Sequence, residues 1–336
     1  MNYQQRIYKA YQVLPAYSYL SGVSDKNIIS LANLLTGHPP QSQSVCCGES
    51  GLNADQTPLQ LCITSTANDI QCRLIADPCS DEPVPELRYN RARKVLADVL
   101  GQTNSNENTA LIEALLKHFS PHDSATASKF NRGVFWIAAS AEKSGIAIYT
   151  DSSPNEIGSG WDKAQSYIDE LQLGGTAAFN TIERIREYCW LSSIGIEGSK
   201  PENSRIKLYA RMYKILPNGI IGELFEPMNE LIRSGCLASI MGKECLSFED
   251  VLFNFGFNVN SGEIEDMKID LSGSALRIDS VQLEKTVSQC CEEMGLRNVP
   301  IKELFDRFNL APSFIGVAIT ARGKKRLNVY LKGGSV

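Results

Sequence analysis

Arg205, Lys207, Tyr209, Arg211 and Tyr213 occupy every second position of the run from Ser204 to Tyr213. Ile206, Leu208, Ala210 and Met212 fill the positions between them. Strict alternation is the period of a β-strand, so the cations and tyrosines share one face and the apolar residues share the other. Guanidinium forks with an ammonium suit phosphate oxygens, and tyrosine rings beside them can stabilise a carbocation through their π faces. Taken singly, the run also fits an ordinary half-buried strand with its charged row in water. Recurrence of the pattern weighs against that.

The elements that would position these residues come in about five strand–strand–helix–helix units at intervals of roughly 60–75 residues, a period that reads as architecture. Hairpins are predicted over residues 59–66 and 70–77, 133–140 and 146–151, 193–198 and 205–215, 251–258 and 266–272, and 313–320 and 326–332. Between them the spacing predicts helices over 86–100 and 106–119, 161–171 and 176–190, and 222–233 with a short one around 247–250. Helices over 280–294 and 301–308 precede the last hairpin. Ahead of the repeat lie helices over 2–20 and 25–36, the second stopped by Gly37-His38-Pro39-Pro40, and a polar loop over 40–57. Residues 1–57 are therefore expected to form an N-terminal helical segment packing on a unit made by residues 58–336.

Ten consecutive antiparallel strands form an open meander or a closed barrel. Helix pairs need an apolar partner, so helices outside a barrel demand an apolar outward face and leave the lumen free to be polar. The second strand of each hairpin fits that inversion. Inward positions would be Gln71 and Arg73, Tyr149 and Asp151, the Arg205 row, Lys268 and Asp270, and Arg326, Asn328, Tyr330 and Lys332. The fold class expected is α+β, a ten-stranded antiparallel barrel of repeated α-β-β-α units surrounded by helices, wide enough to keep a cavity. Two like charges about 4 Å apart repel by roughly 4 kcal/mol at an effective dielectric near 20. Cations gathered in a lumen thus call for a polyanionic ligand. With carbocation-shielding tyrosines alongside, the chemistry implied is ionisation of an allylic diphosphate.

On these residues the sequence resembles the aromatic prenyltransferases of the ABBA type over roughly residues 58–332, in the order of its elements. Arg205-x-Lys207-x-Tyr209 resembles the Arg-x-Lys-x-Tyr strand of the indole, dimethylallyltryptophan synthase-like branch in a bacterial form. The resemblance implies that Arg73, Arg205, Lys207 and Lys268 hold the donor diphosphate, and that Tyr149, Tyr209 and Tyr330 shield the cation. Arg211 and Arg326 join the diphosphate set from their place on the same inward rows. Where that branch has a Glu on the first strand to accept the indole N–H, this chain offers Gln60, Cys62 and Thr64, and Ala147 stands where a Lys is expected. Glu197 is the candidate acceptor-binding carboxylate, with a plain hairpin-end position as its alternative. The implied reaction transfers a dimethylallyl or geranyl group from its diphosphate to an indole-containing small molecule. No metal motif is required, although a magnesium ion carried on the diphosphate stays open.

Composition excludes other classes. The chain of 336 residues has a net charge of −5, which gives no reason to expect nucleic acid or an acidic membrane as partner. Its ten cysteines contain no C-x-x-C pair and no zinc spacing with the three histidines. With no long apolar run and no signal peptide, a cytoplasmic protein is expected, as a monomer or weak homodimer. Trp136, Trp190, Phe253, Phe255 and Phe257 read as core. Three other readings remain at this level: prenylation of a side chain on a ribosomal peptide, a non-catalytic carrier of an anionic ligand, and a plain α+β protein with its polar rows in water.

Overall fold

A strand with one apolar row needs a layer against that row, and ten strands in sequence order leave no edge if the last meets the first. The computed structural model, which describes residues 3–37, 48–152, 159–217, 219–234, 250–272 and 279–334, takes that solution. The strands are β1 (Leu59–Ser65), β2 (Ile70–Ala76), β3 (Phe135–Ala139), β4 (Ile146–Asp151), β5 (Cys189–Gly198), β6 (Arg205–Met212), β7 (Val251–Asn258), β8 (Ile264–Ser272), β9 (Leu310–Thr320) and β10 (Lys325–Gly333). Each pairs antiparallel with its neighbours in sequence. Leu61 opposite Leu331 then joins β1 to β10 and closes the barrel.

The inverted polarity expected from the sequence is present. Ile206, Leu208, Ala210, Leu327, Val329 and Leu331 are fully buried on the outward face. They belong to one continuous apolar layer with the surrounding helices. Phe253, Phe255 and Phe257 lie in the same layer. The six described cysteines (Cys62, Cys72, Cys79, Cys189, Cys290 and Cys291) are buried, as small hydrophobes are. Among the described residues no helix is long and apolar enough to cross a membrane.

The helices differ from expectation where proline or strand pairing intervenes. The first expected helix is two, Tyr3–Tyr11 and Val13–Ser21. Pro15 has no N–H to give the Tyr11 carbonyl, so the ladder breaks there. Pro227 likewise parts Ile220–Leu224 from Met228–Arg233. The helix expected over 176–190 stops at Ile185, because Cys189 and Trp190 pair with Met212 and Arg211 and so begin β5. The Trp161 indole donates to the Cys189 carbonyl at 2.7 Å and pins that junction to helix Ser159–Glu170. Asn106–Asn108 is a 3-10 turn ahead of helix Thr109–Phe119, and short helical turns at Ser124–Ala127 and Ser128–Phe130 were not foreseen. Helices Pro85–Gln102, Ser280–Met294 and Ile301–Arg307 keep close to their expected spans. Asp25–Thr36 ends as expected at Gly37, in the left-handed conformation. The stop at residues 38–40, most of the 40–57 loop, the helix around 247–250 apart from Asp250, and Cys46, Cys47, Cys236 and Cys245 lie outside the described residues.

At the foot of β2 a buried ion pair fastens helix Pro85–Gln102 to the barrel. Arg88 Nη2 donates to Asp77 Oδ1 at 2.6 Å, and the two side chains are only 3% and 1% exposed. Ser50 Oγ donates to the other Asp77 oxygen at 2.7 Å, and Arg88 Nη1 to the Glu49 carbonyl at 2.6 Å. Removing one member leaves the other charged and dry. Arg88→Ala should lower the unfolding free energy by about 3–5 kcal/mol in urea denaturation, with no change in what the lumen binds.

Candidate active site

The polar rows converge on one network inside the barrel. Glu197, at the end of β5, bonds Arg73 on β2 at 2.6 Å and Arg205 on β6 at 3.1 Å, with Lys207 Nζ at 3.8 Å. Asp266 on β8 bonds Lys207 at 2.6 Å, Arg205 at 2.8 Å and Arg326 on β10. Four cations from three strands therefore share two carboxylates. Burial raises both carboxyls, but the cations outweigh it and hold Glu197 and Asp266 well below the usual carboxylate range. Burial, helped by Arg205 and Arg326, overcomes the pull of Asp266 and Glu197 on Lys207, whose ammonium is pushed down to about 8.

The network hangs on glycines of the adjoining strands. Gly256 on β7 sits in register between Lys207 and Asp266. A side-chain carbon there would collide with the Asp266 carboxylate and come within 2.7 Å of Lys207 Nζ. Gly195 on β5 stands likewise between Tyr149 and Lys207. A glycine inside a strand marks such a close approach.

A second group lies beside the first. Lys268 Nζ is 2.6 Å from Asp270 Oδ2, donates to the Tyr330 hydroxyl at 2.6 Å, and stands 5.0 Å from the Tyr330 ring centre and 5.9 Å from that of Tyr209. Tyr149 and Tyr209 meet edge to face with centroids 5.5 Å apart. Burial, with nearby negative groups, pushes the Tyr149, Tyr209 and Tyr330 phenols up, so all three stay neutral and present rings rather than phenolates. Burial also pushes the Asp270 carboxyl up, which Lys268 offsets only in part.

Opposite the charges the lumen is apolar. Cys62, Ile75, Ala138 and Ala147 form a small cluster, separate from the outer layer, against which Leu52, Trp136, Tyr149 and Tyr330 pack. Trp136, expected in the core, is thus a lumen wall. A cavity of about 310 Å³ opens at the turn end of the hairpins, lined by Thr64, Gln71, Lys143, Ser144 and Asn203, with Arg73, Glu197 and Arg205 at its inner side.

Not every expected residue gathers here. Arg211 lies six residues beyond Arg205 on β6, about 20 Å along the strand, in register with Trp190 and Leu252. Tyr213 falls past the end of β6 and is 40% exposed, its hydroxyl donating to the Arg186 carbonyl at 3.3 Å. Lys332 bonds Asp55 at 3.3 Å, beside Lys9 of the first helix, so it ties the N-terminal segment to β10. Glu197 is no bare hairpin end; its oxygens are taken up by cations. Asp266 was passed over in the sequence because it reads as the start of a strand after a turn. The two-residue spacing Asp266-Lys268-Asp270 opposite Gly256 is the signal that marks it. Among the described residues no group of His, Cys, Asp or Glu is arranged to hold a metal ion.

No family model matches the sequence, and no curated protein is similar to it in sequence. Solved structures are. The chain is similar to 5-dimethylallyltryptophan synthase from Streptomyces coelicolor, with TM-score 0.74 and 11% identity over 97% of each chain. It is similar to AnaPT from Neosartorya fischeri, with TM-score 0.72 and 14% identity over 99% of this chain and 96% of that one. It is also similar to 6-dimethylallyltryptophan synthase from Micromonospora olivasterospora, solved with DMASPP and Trp, at TM-score 0.71 and 14% identity over 97% and 96%. At such identities the likeness is one of fold, and this chain has the ten-stranded barrel of the ABBA-type prenyltransferases.

Proposed function

We propose that the protein is an aromatic prenyltransferase that moves a dimethylallyl or geranyl group from its diphosphate to an indole-containing small molecule. The observation that carries this reading is the pairing of Arg73, Arg205, Lys207 and Arg326 with only two carboxylates, next to the neutral rings of Tyr149, Tyr209 and Tyr330. A diphosphate competes with Glu197 and Asp266 for donors already aimed into the lumen, so little reorganisation is asked of the site. The allylic C–O bond breaks and its electron pair leaves with the diphosphate, whose growing charge the cations stabilise. The allyl cation is sheltered by tyrosine rings, which offer π electrons and no lone-pair nucleophile as strong as a phenolate. An electron pair from the acceptor ring forms the new C–C bond, and the ring proton then leaves to a base, for which the released diphosphate suffices. The apolar wall of Cys62, Ile75, Ala138, Ala147 and Trp136 offers the acceptor a flat, dry surface. Structural neighbours solved with DMASPP and Trp support the same pair of substrate classes.

The direct test is calorimetric titration with dimethylallyl and geranyl thiodiphosphates, with and without magnesium, followed by pyrophosphate release in the presence of indole acceptors. Arg205→Ala combined with Lys207→Ala should abolish donor binding and turnover while circular dichroism stays that of the wild type. Turnover retained in that double variant would remove these residues from the site, and a barrel that binds neither donor would remove the function.

The pH dependence of donor binding follows from Lys207. An anion bound beside it holds its proton more tightly than the empty site, where the ammonium sits at about 8. Affinity should be level just below pH 8 and fall above it, by at most about tenfold per pH unit, because binding must then take up a proton. Lys207→Arg, which keeps its charge, should flatten that fall across pH 7.5–9.5. An unchanged slope in the variant would assign the titration elsewhere.

A further inference from the structure

The two ends of the lumen differ. At the end where β1 and β9 begin, the segment ahead of β1 forms a stopper, with Leu52 packed on the apolar cluster. The Gly51 amide donates to the Arg132 carbonyl at 2.7 Å, and the Asn53 amide nitrogen donates to the Thr57 and Leu59 carbonyls at 2.9 and 3.1 Å. Gln60 Nε2 on β1 and Ser313 Oγ on β9 donate in turn to Asn53 Oδ1, both at 3.0 Å. The hairpin-turn end instead holds the cavity of about 310 Å³. Ala138 lines that cavity and also belongs to the apolar wall, so the two compartments meet there.

An ion pair lies across the meeting point. Ile75, Ala138, Ala147 and Glu197 stand in one register row from β2 to β5. Arg73, two residues from Ile75 on β2, reaches past β3 and β4 to bond Glu197 at 2.6 Å. The two strands are three spacings apart, about 14 Å of wall, and the lumen residues between them are the two alanines. A longer side chain at either position would fill this slot. The slot is shut in this structure, since Ala138 and Ala147 are 1% and 0% exposed. The bar across it is the loosest part of the network. The Arg73 side chain is 36% exposed, against 2% for Lys207 and 1% for Asp266, and it borders a cavity into which it can swing. A partly hydrated ion pair is held weakly, a buried one firmly.

We propose that this slot is the doorway by which the aromatic acceptor reaches the wall, that the Arg73–Glu197 pair bars it, and that the donor diphosphate locks it behind the acceptor. This rests on the prenyltransferase reading of the barrel. In the empty barrel Arg73 exchanges Glu197 for water in the cavity and clears the alanines. A diphosphate on Arg73, Arg205 and Lys207 adds charge-assisted bonds that hold the guanidinium over the slot. The acceptor therefore enters before the donor, and pyrophosphate leaves before the prenylated product.

The probes are 5-fluoroindole and dimethylallyl thiodiphosphate, with the exchange of each between free and bound states read by fluorine and phosphorus NMR. A locked door slows entry and exit alike and leaves affinity unchanged, whereas energetic coupling alters the affinity of both ligands by one factor. With the thiodiphosphate bound, 5-fluoroindole should exchange about tenfold more slowly at the same affinity, the worth of one added hydrogen bond to a charged group. The thiodiphosphate should exchange at one rate with or without the indole. In the donor-free barrel Glu197→Gln, which weakens the bar, should speed indole exchange severalfold. Ser313→Ala, which loosens the far stopper, should leave it as it is. No binding of 5-fluoroindole, exchange that ignores the thiodiphosphate, a slowing matched by tighter binding of both probes, or faster exchange in Ser313→Ala would each overturn the doorway. In those cases a bound thiodiphosphate leaves the proposed function standing. A barrel that takes 5-fluoroindole and rejects the thiodiphosphate would sink the function, and the lock with it.

Discussion

Everything in the lumen depends on keeping the four cations Arg73, Arg205, Lys207 and Arg326 together inside a closed barrel. Two buried carboxylates do this. Glu197 and Asp266 neutralise half the charge of Arg73, Arg205, Lys207 and Arg326, and two positive charges remain. Without them the cations would repel one another and lose their hydration, and the strands carrying them would splay. With complete neutralisation the lumen would have no reason to bind an anion. The arrangement sits between these limits: stable enough to fold, and left with a net positive charge.

That balance constrains the neighbouring strands as strongly as the charged ones. Glu197 apart, the charged side chains of the lumen come from the second strand of each hairpin, and the first strands answer with Gly195, Gly256 and Gly316 on the facing positions. Each glycine opens room for a side chain of an adjoining strand to lie across it: Tyr149 over Gly195, Asp266 over Gly256 and Asp270 over Gly316. Large residues at both positions would fill the barrel and leave a packed core instead of a cavity.

The strand pattern was legible because period-2 alternation is a local signal, and the inversion could be inferred because amphipathic helices had to cover something. The same logic failed where only tertiary pairing decides. Cys189 and Trp190 read as the end of a helix, yet their partners in β6 draw them into β5. Tyr213 continues the alternation of Arg205–Arg211, but the sheet stops at Met212 and leaves it outside. Of the candidate site, the cations were readable one by one. That Arg211 stands at the level of Leu252 and Asp270, and that Glu197 and Asp266 hold Arg73, Arg205, Lys207 and Arg326, are matters of register and reach, which no single strand displays.

Closure has a consequence for how the chain reaches this state. Leu61 finds its partner Leu331 only after 270 further residues have been made. At ribosomal rates of about 5–20 residues per second that is a wait of roughly 15–50 s. Throughout it β1 offers an unpaired backbone edge flanked by Leu59, Leu61 and Ile63, the kind of edge that recruits foreign strands. The polar row meanwhile stays hydrated, and Arg326 joins the ion network only with the last strand. Folding of this architecture is therefore late and dominated by its most distant contact, and the nascent chain is most exposed to misassembly just before its last strand arrives.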